Sequence, residues 1–217
     1  MARRISANRT DKPSEFPAPA PITAKKLIAV EGKDEIKFFE ALLKYLDVAD
    51  CDLREVGGKD KFNKKLPELK KASGFDDIEK FVVIRDADNS ANGAFDSIKK
   101  ILKGEGFKVP GKKNSFAAGN PIVGIYILPG IAEEGFLEDL CLKLVGNHPA
   151  MKCVEDFEKC AKKLPRPPNN ISKAKAQVYL AAMPELAWQV GLGALKGYWN
   201  FDSPYLKNLK DFLNKLK

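Results

Sequence analysis

Short apolar runs that end in acidic residues constrain this chain more than any other feature. LIAV at 27–30 is followed at once by Glu31-Gly32, and FVVIRDAD at 81–88 ends in the pair Asp86 and Asp88. IVGIYIL at 122–128 is stopped by Pro129-Gly130, with Glu133, Glu134 and Glu138 just beyond. Runs this short and this rich in β-branched residues read as strands buried on both faces, the habit of a parallel sheet. Helical spacing fills the gaps. Ile36, Phe39, Leu42, Leu43 and Leu46 share one face of a helix over 33–46, and Phe95, Ile98 and Leu102 repeat over 94–103. Another strand is expected over 52–56, then Gly57-Gly58 and a lysine-rich helix to about residue 72. Alternation of this kind predicts an α/β fold: a mostly parallel open sheet with helices on both faces.

The remainder divides by pattern. Residues 1–22 are basic and proline-rich (DKPSEFPAPAP) without periodicity, and read as a flexible tail. The α/β domain is expected over 23–146, with 104–121 a loop carrying a short strand at its start and a helix over 134–145. From 147 to 217 the pattern turns helical, with helices near 151–163, 173–183 and 205–216 forming an extension packed on the same domain.

With 44% hydrophobic residues in 217, the chain can bury a real core. Its longest apolar runs are too short to span a bilayer, and no apolar stretch follows the arginines of MARRISANRT, so no secretory signal is read. The expectation is a cytoplasmic protein with no membrane partner. A formal charge of +8 points to a polyanion such as DNA or RNA, with a solvated lysine surface as the plain alternative. Cys51, Cys141, Cys153 and Cys160 contain no CxxC pair, and with His148 they match no zinc knuckle. The stretch Tyr198-Trp199-Asn200-Phe201 reads as core, with base stacking as the alternative.

In open α/β sheets, ligands sit beyond the carboxyl ends of the strands, and the acids fall at that edge. Glu31 is either a ligand there or a cap for the helix that follows. Glu35 lies on the apolar face of that helix, so it either meets a cation or caps the first turn; Asp34 points elsewhere and is expected to be solvated. Asp86 and Asp88 stand two residues apart, so on a continuing strand their carboxylates converge. Their repulsion calls for a divalent cation or a positive side chain; a turn supported by Asn89 and Ser90 is the alternative. With only oxygen donors on offer, the cation is Mg²⁺, with Mn²⁺ as a substitute.

VEGKDE and VIRDADN, in this order, resemble the two signatures of the Toprim domain shared by topoisomerases, DnaG-type primases, recombination proteins, ribosomal-RNA maturases and OLD-family nucleases. The resemblance spans roughly residues 26–145 and extends to small stand-alone Toprim-like proteins. It implies Glu31 as metal ligand or general acid/base and Asp86 and Asp88 as Mg²⁺ ligands. The OLD-type branch adds Glu35 to the metal set, with Glu134 or Glu138 after a later strand, and a lysine, Lys175 or Lys173, that assists the chemistry. There is no GxxxxGK[ST] phosphate loop, no zinc ribbon and no room for a tyrosine-bearing topoisomerase domain. What the resemblance leaves is a Mg²⁺-dependent nuclease, or a non-catalytic metal- or nucleotide-binding module serving a partner such as a separate ATPase. Receiver and haloacid-phosphatase patterns are disfavoured, because both require paired acids after the first strand.

Overall fold

The structure, a computed structural model, describes residues 20–130 and 132–217. A five-stranded sheet has the order β2-β1-β3-β5-β4, built from β1 (Lys26–Val30), β2 (Cys51–Glu55), β3 (Lys80–Asp86), β4 (Ser115–Ala117) and β5 (Ile122–Leu128). β2, β1, β3 and β5 run parallel, and only β4 is antiparallel. The expected fold class is the one observed. Within the 104–121 stretch, however, the short strand sits near the end and not the start. Asn114 explains the position: its side-chain oxygen accepts the Ile127 N–H at 2.9 Å, and the next residues pair with β5.

Side chains alternate across the sheet, as strand geometry requires. Ile28, Val30, Val82, Ile84, Tyr126 and Leu128 join one core. Leu27, Ala29, Phe81, Val83, Val123, Ile125 and Ile127 join the other. The second core is covered by α2 (Phe62–Lys70) and α3 (Ala91–Gly104), the first by α1 (Lys33–Tyr45), α4 (Leu137–Leu144), α5 (Met151–Ala161), α6 (Ile171–Ala181), α7 (Val190–Leu195) and α8 (Lys207–Leu213). Phe38, Phe39 and Leu42 of α1 are fully buried, each contributing about 1.5–3 kcal/mol through its removal from water. The α3 helix starts where Ser90 accepts the Gly93 N–H at 3.1 Å, a cap in place of a free turn.

Two boundaries and one further element differ from expectation. Of the tail read over 1–22, residues 1–19 lie outside the described residues, but Ile22 belongs to the fold: its side chain is buried and its N–H donates to Ser73 at 2.8 Å. Gly74, at φ 84, permits this contact, since a Cβ there would lie 2.0 Å from the Ile22 carbonyl. The helix expected from 134 begins at Leu137, because Gly135 adopts φ 122 and the chain is still turning. Helix α7 was not expected. Gly191 and Gly193 weaken its sequence signal, yet both fit close packing against α1 and α6. Trp199 is core, stacked on Tyr179 at 5.0 Å with its indole N–H donating to Val190 at 2.7 Å. Among the described residues, no helix is long and apolar enough to cross a membrane.

Candidate metal centre

Loops at the carboxyl ends of the parallel strands gather the acids. Glu31 follows β1 directly, and its carbonyl accepts the N–H groups of Gly57 (2.8 Å) and Gly58 (3.0 Å). Both glycines have positive φ, 89 and 117, a conformation that lets the loop after β2 fold back over the end of β1. Asp86 closes β3 in step with Val82 and Ile84, and so faces the α1 and α4 side of the sheet. Its side chain accepts the Leu137 N–H at 3.0 Å, which fixes the start of α4. The loops after β3 and β5 are also joined to each other. Asp88 donates to Gly135 at 3.1 Å, Gly135 to Asp88 at 2.8 Å, and Ala91 to Glu133 at 2.7 Å. This pairing delivers Glu138, in the first turn of α4, to the neighbourhood of Asp86.

Asp86 is 6% exposed. Burial pushes its carboxyl well above the usual range, and the charges of Glu35, Glu31 and Glu138 push it further. Glu31 is raised by burial, then by Glu35 and Asp88, against the pull of Arg85 and the Lys59 N–H. Glu35 is raised by burial and by Asp34, while its own N–H, Lys173 and the Gly32 N–H oppose the shift. The contact back to Gly32 is half of a capping box, and Gly32 suits it: a Cβ there would stand 3.0 Å from Glu35 Oε2. Burial also raises Glu138, whose own N–H and Lys173 oppose the shift while Glu35 and Asp34 add to it. Each carboxylate is thus desolvated and pressed by its neighbours, an arrangement that a cation relieves.

The structure therefore brings Glu31, Glu35, Asp86 and Glu138 into one electrostatic cluster, with Lys173 beside it at 3.9 Å from Glu138. Asp88 stands at the margin. The strand ends at Asp86 and Asp88 takes φ 52, so the two-residue alternation expected to aim both aspartates at one point does not extend to it. Asp88 pairs instead with Lys59 (3.3 Å) and Arg85 (3.8 Å) and reaches the cluster through Glu31. Glu134 is exposed in the loop before α4, and Glu133 pairs with Lys113 at 2.7 Å. Lys175 is not at the cluster; it pairs with Glu158 of α5 at 2.7 Å.

Several neighbours were missed from the sequence. Asp34, expected in solvent, accepts the N–H groups of Val190 (2.9 Å) and Gly191 (2.6 Å) and so ties α7 to α1. Asp139 accepts the Phe136 N–H (2.9 Å) and the Ser172 hydroxyl (2.6 Å), which holds the first turn of α6, and with it Lys173, against α4. Lys59 and Arg85 supply the positive charge beside Asp88. A strand-borne arginine between Ile84 and Asp86, and a lysine after Gly57-Gly58, were the available signals.

A hard divalent cation suits this donor set. All of its donors are oxygen, and Glu31 Oε2 is buried without a hydrogen-bond partner, an unmet need that burial makes expensive. Among the described residues, no three acidic, histidine or cysteine side chains meet as a finished ligand shell.

Among curated proteins there is no match. Among solved structures, the chain is similar to the C-terminal region of the Burkholderia pseudomallei OLD protein, at 16% identity and a TM-score of 0.46, covering 89% of this chain and 99% of that one. Residues 25–217, the whole of the α/β sheet and its helices, match the family described as "Protein of unknown function (DUF3226)", and the chain belongs to that family.

Proposed function

We propose that this chain is a Toprim-type, Mg²⁺-dependent phosphodiesterase acting on nucleic acid. The observation that carries the reading is the buried, unpartnered Glu31 Oε2 within a cluster of mutually repelling carboxylates at the strand ends. Glu31, Asp86 and Glu138, with Glu35 behind them, would hold Mg²⁺ or Mn²⁺. Bound there, the ion supplies an activated water and neutralises charge on the phosphate.

The protein's own groups do the rest. Lys173 lies 3.9 Å from Glu138, in the first turn of α6, where Asn170 accepts its N–H at 2.9 Å. Its ammonium group offsets charge developing on the phosphoryl oxygens. Lys59, half exposed beside Asp88, meets the nucleic-acid backbone without reading sequence. The net charge of +8 favours that encounter.

A second reading is a binding module that takes up metal or nucleotide without turnover, working beside a separate ATPase. It draws support from Asp88, whose two oxygens are engaged by Lys59 and Arg85. Incubation of the full chain with end-labelled DNA and RNA in Mg²⁺ or Mn²⁺ separates the two. Phosphodiesterase action gives products that are absent in EDTA and from Glu31→Gln and Asp86→Asn proteins. Metal uptake in calorimetry with substrate left intact would leave only the binding module.

A further inference from the structure

The sheet ends at β2, and among the described residues no strand pairs with its outer edge. Inward, the Asp50 carbonyl accepts the Lys26 N–H at 3.2 Å and the Val56 N–H donates to Val30 at 2.8 Å. Main-chain groups alternate in direction along a parallel strand, so Cys51, Leu53 and Glu55 turn theirs outward, away from β1. A groove of about 540 Å³ runs along this edge, with Ile36 of α1, Leu53 and Leu69 of α2 contributing apolar surface. Its walls carry both signs of charge, Lys37 and Glu40 on α1 and Lys65 and Glu68 on α2.

Charges on an edge strand commonly deter pairing. Here their order selects one pairing. Asp52 and Arg54 lie on one face, two residues apart, bonded to each other at 2.7 Å. A second copy related by a twofold axis through Leu53 would run antiparallel to β2. That register sets Leu53 against Leu53, Asp52 against the second copy's Arg54, and Cys51 against its Glu55. The outward N–H and C=O groups of Leu53 then meet as a hydrogen-bonded pair, while Asp52 and Arg54 occupy the closer, non-hydrogen-bonded positions. Moving the axis to Asp52 or Arg54 would oppose like charges. We infer that β2 is a self-complementary edge through which two copies of this chain form a dimer with one continuous sheet. The interface is isologous, and the antiparallel strands point the two acid clusters in opposite directions, so each works without residues from the other copy. The inference is independent of the chemistry proposed for that cluster.

Sedimentation of the full chain tests it. The wild type is expected at twice the monomer mass. Arg54→Asp and Asp52→Arg each place like charges across the axis and are expected to run as folded monomers, with circular dichroism matching the wild type. Mixing these two monomeric variants makes every cross-strand pair opposite in sign, and the mixture is expected to return to dimer mass. The double swap Asp52→Arg/Arg54→Asp is expected to dimerise alone. A monomeric wild type would overturn the proposal, with the groove then left to residues 1–19 or to another protein. Dimers that persist in both single variants, or a mixture that stays monomeric, would also overturn it.

Discussion

Asp34 and Gly191 meet where α1 touches α7, with the Gly191 N–H 2.6 Å from the Asp34 carboxylate and the Val190 N–H sharing it at 2.9 Å. A carboxylate in the first turn of one helix thus caps the start of another. The packing behind the contact is equally tight, since a Cβ on Gly191 would lie 2.2 Å from the Asp34 carbonyl oxygen.

Removing the cap leaves two main-chain donors without their acceptor. Asp34→Ala is expected to lower stability by about 1 kcal/mol, a typical value for a lost cap, and Tm by roughly 2–4 °C for a chain of this size. Gly191→Ala is expected to do more damage, because backbone must move. Thermal melts, with amide exchange faster at 190–191 than in the sheet, check both. An Asp34→Ala melt equal to wild type would show that the cap contributes nothing.

The pH dependence of stability should report the acid cluster. In the folded chain Asp86 holds its proton to higher pH than in the unfolded chain, so ionisation weighs against the fold as pH rises past the ordinary value of 3.8. Asp86→Asn keeps an acceptor for the Leu137 N–H and removes the charge. At neutral pH without divalent metal it is expected to melt about 2–4 °C above wild type, roughly 1 kcal/mol. That advantage shrinks as pH falls through the raised native value and vanishes below the ordinary one. A lower melting point for the variant at pH 7 would contradict this account.

Mg²⁺ should reverse the penalty. Saturation at about a hundred times Kd stabilises a single-site protein by about 2.7 kcal/mol, and the wild-type Tm is expected to climb accordingly and fall back in EDTA. Glu31→Gln should lose most of that response. Equal responses from both proteins would place the ion elsewhere.

Lys173 and Lys175 sit on the same helix and are predicted to behave differently. Lys173→Ala is expected to reduce turnover by about 10²–10³, the usual loss when a group stabilising transition-state charge is removed. Lys175→Ala breaks an ion pair with Glu158 and is expected to change stability by less than about 1 kcal/mol, with turnover near wild type. Side-by-side kcat measurements decide, and equal losses would undo the assignment to Lys173.

The parallel strands and the rim where the acids collect were legible because buried strands write themselves as β-branched runs, and Glu31 and Asp86 follow such runs directly. What the sequence hid depends on chain reversal. Alternation forecasts Asp88 only while the strand continues; at φ 52 the rule no longer applies. Asp34 looked solvated because its partners lie 156 and 157 residues away, beyond any local pattern. Spacing alone left Lys173 and Lys175 equal; they are separated by contacts distant in sequence, since Asp139 accepts the Ser172 hydroxyl at 2.6 Å and Glu158 takes Lys175 at 2.7 Å. Arg85 was overlooked because a charge inside an apolar run attracts less notice than the aspartates after it, although its guanidinium lies over the Phe62 ring at 5.5 Å.

The cross-linking of Asp88 and Gly135 has a consequence for how lesions propagate. Because each residue donates to the other, the segment after β5 cannot swing away while the segment after β3 stays in place, and α4 is carried with them. A substitution at Gly135, whose Cβ would press on Asp139 Oδ2 at 2.8 Å, would disturb Asp86, Glu138 and the Ser172 anchor together. Damage at a residue that carries no side chain would read out as loss of the whole rim, and second-site repair would be found on the opposite segment.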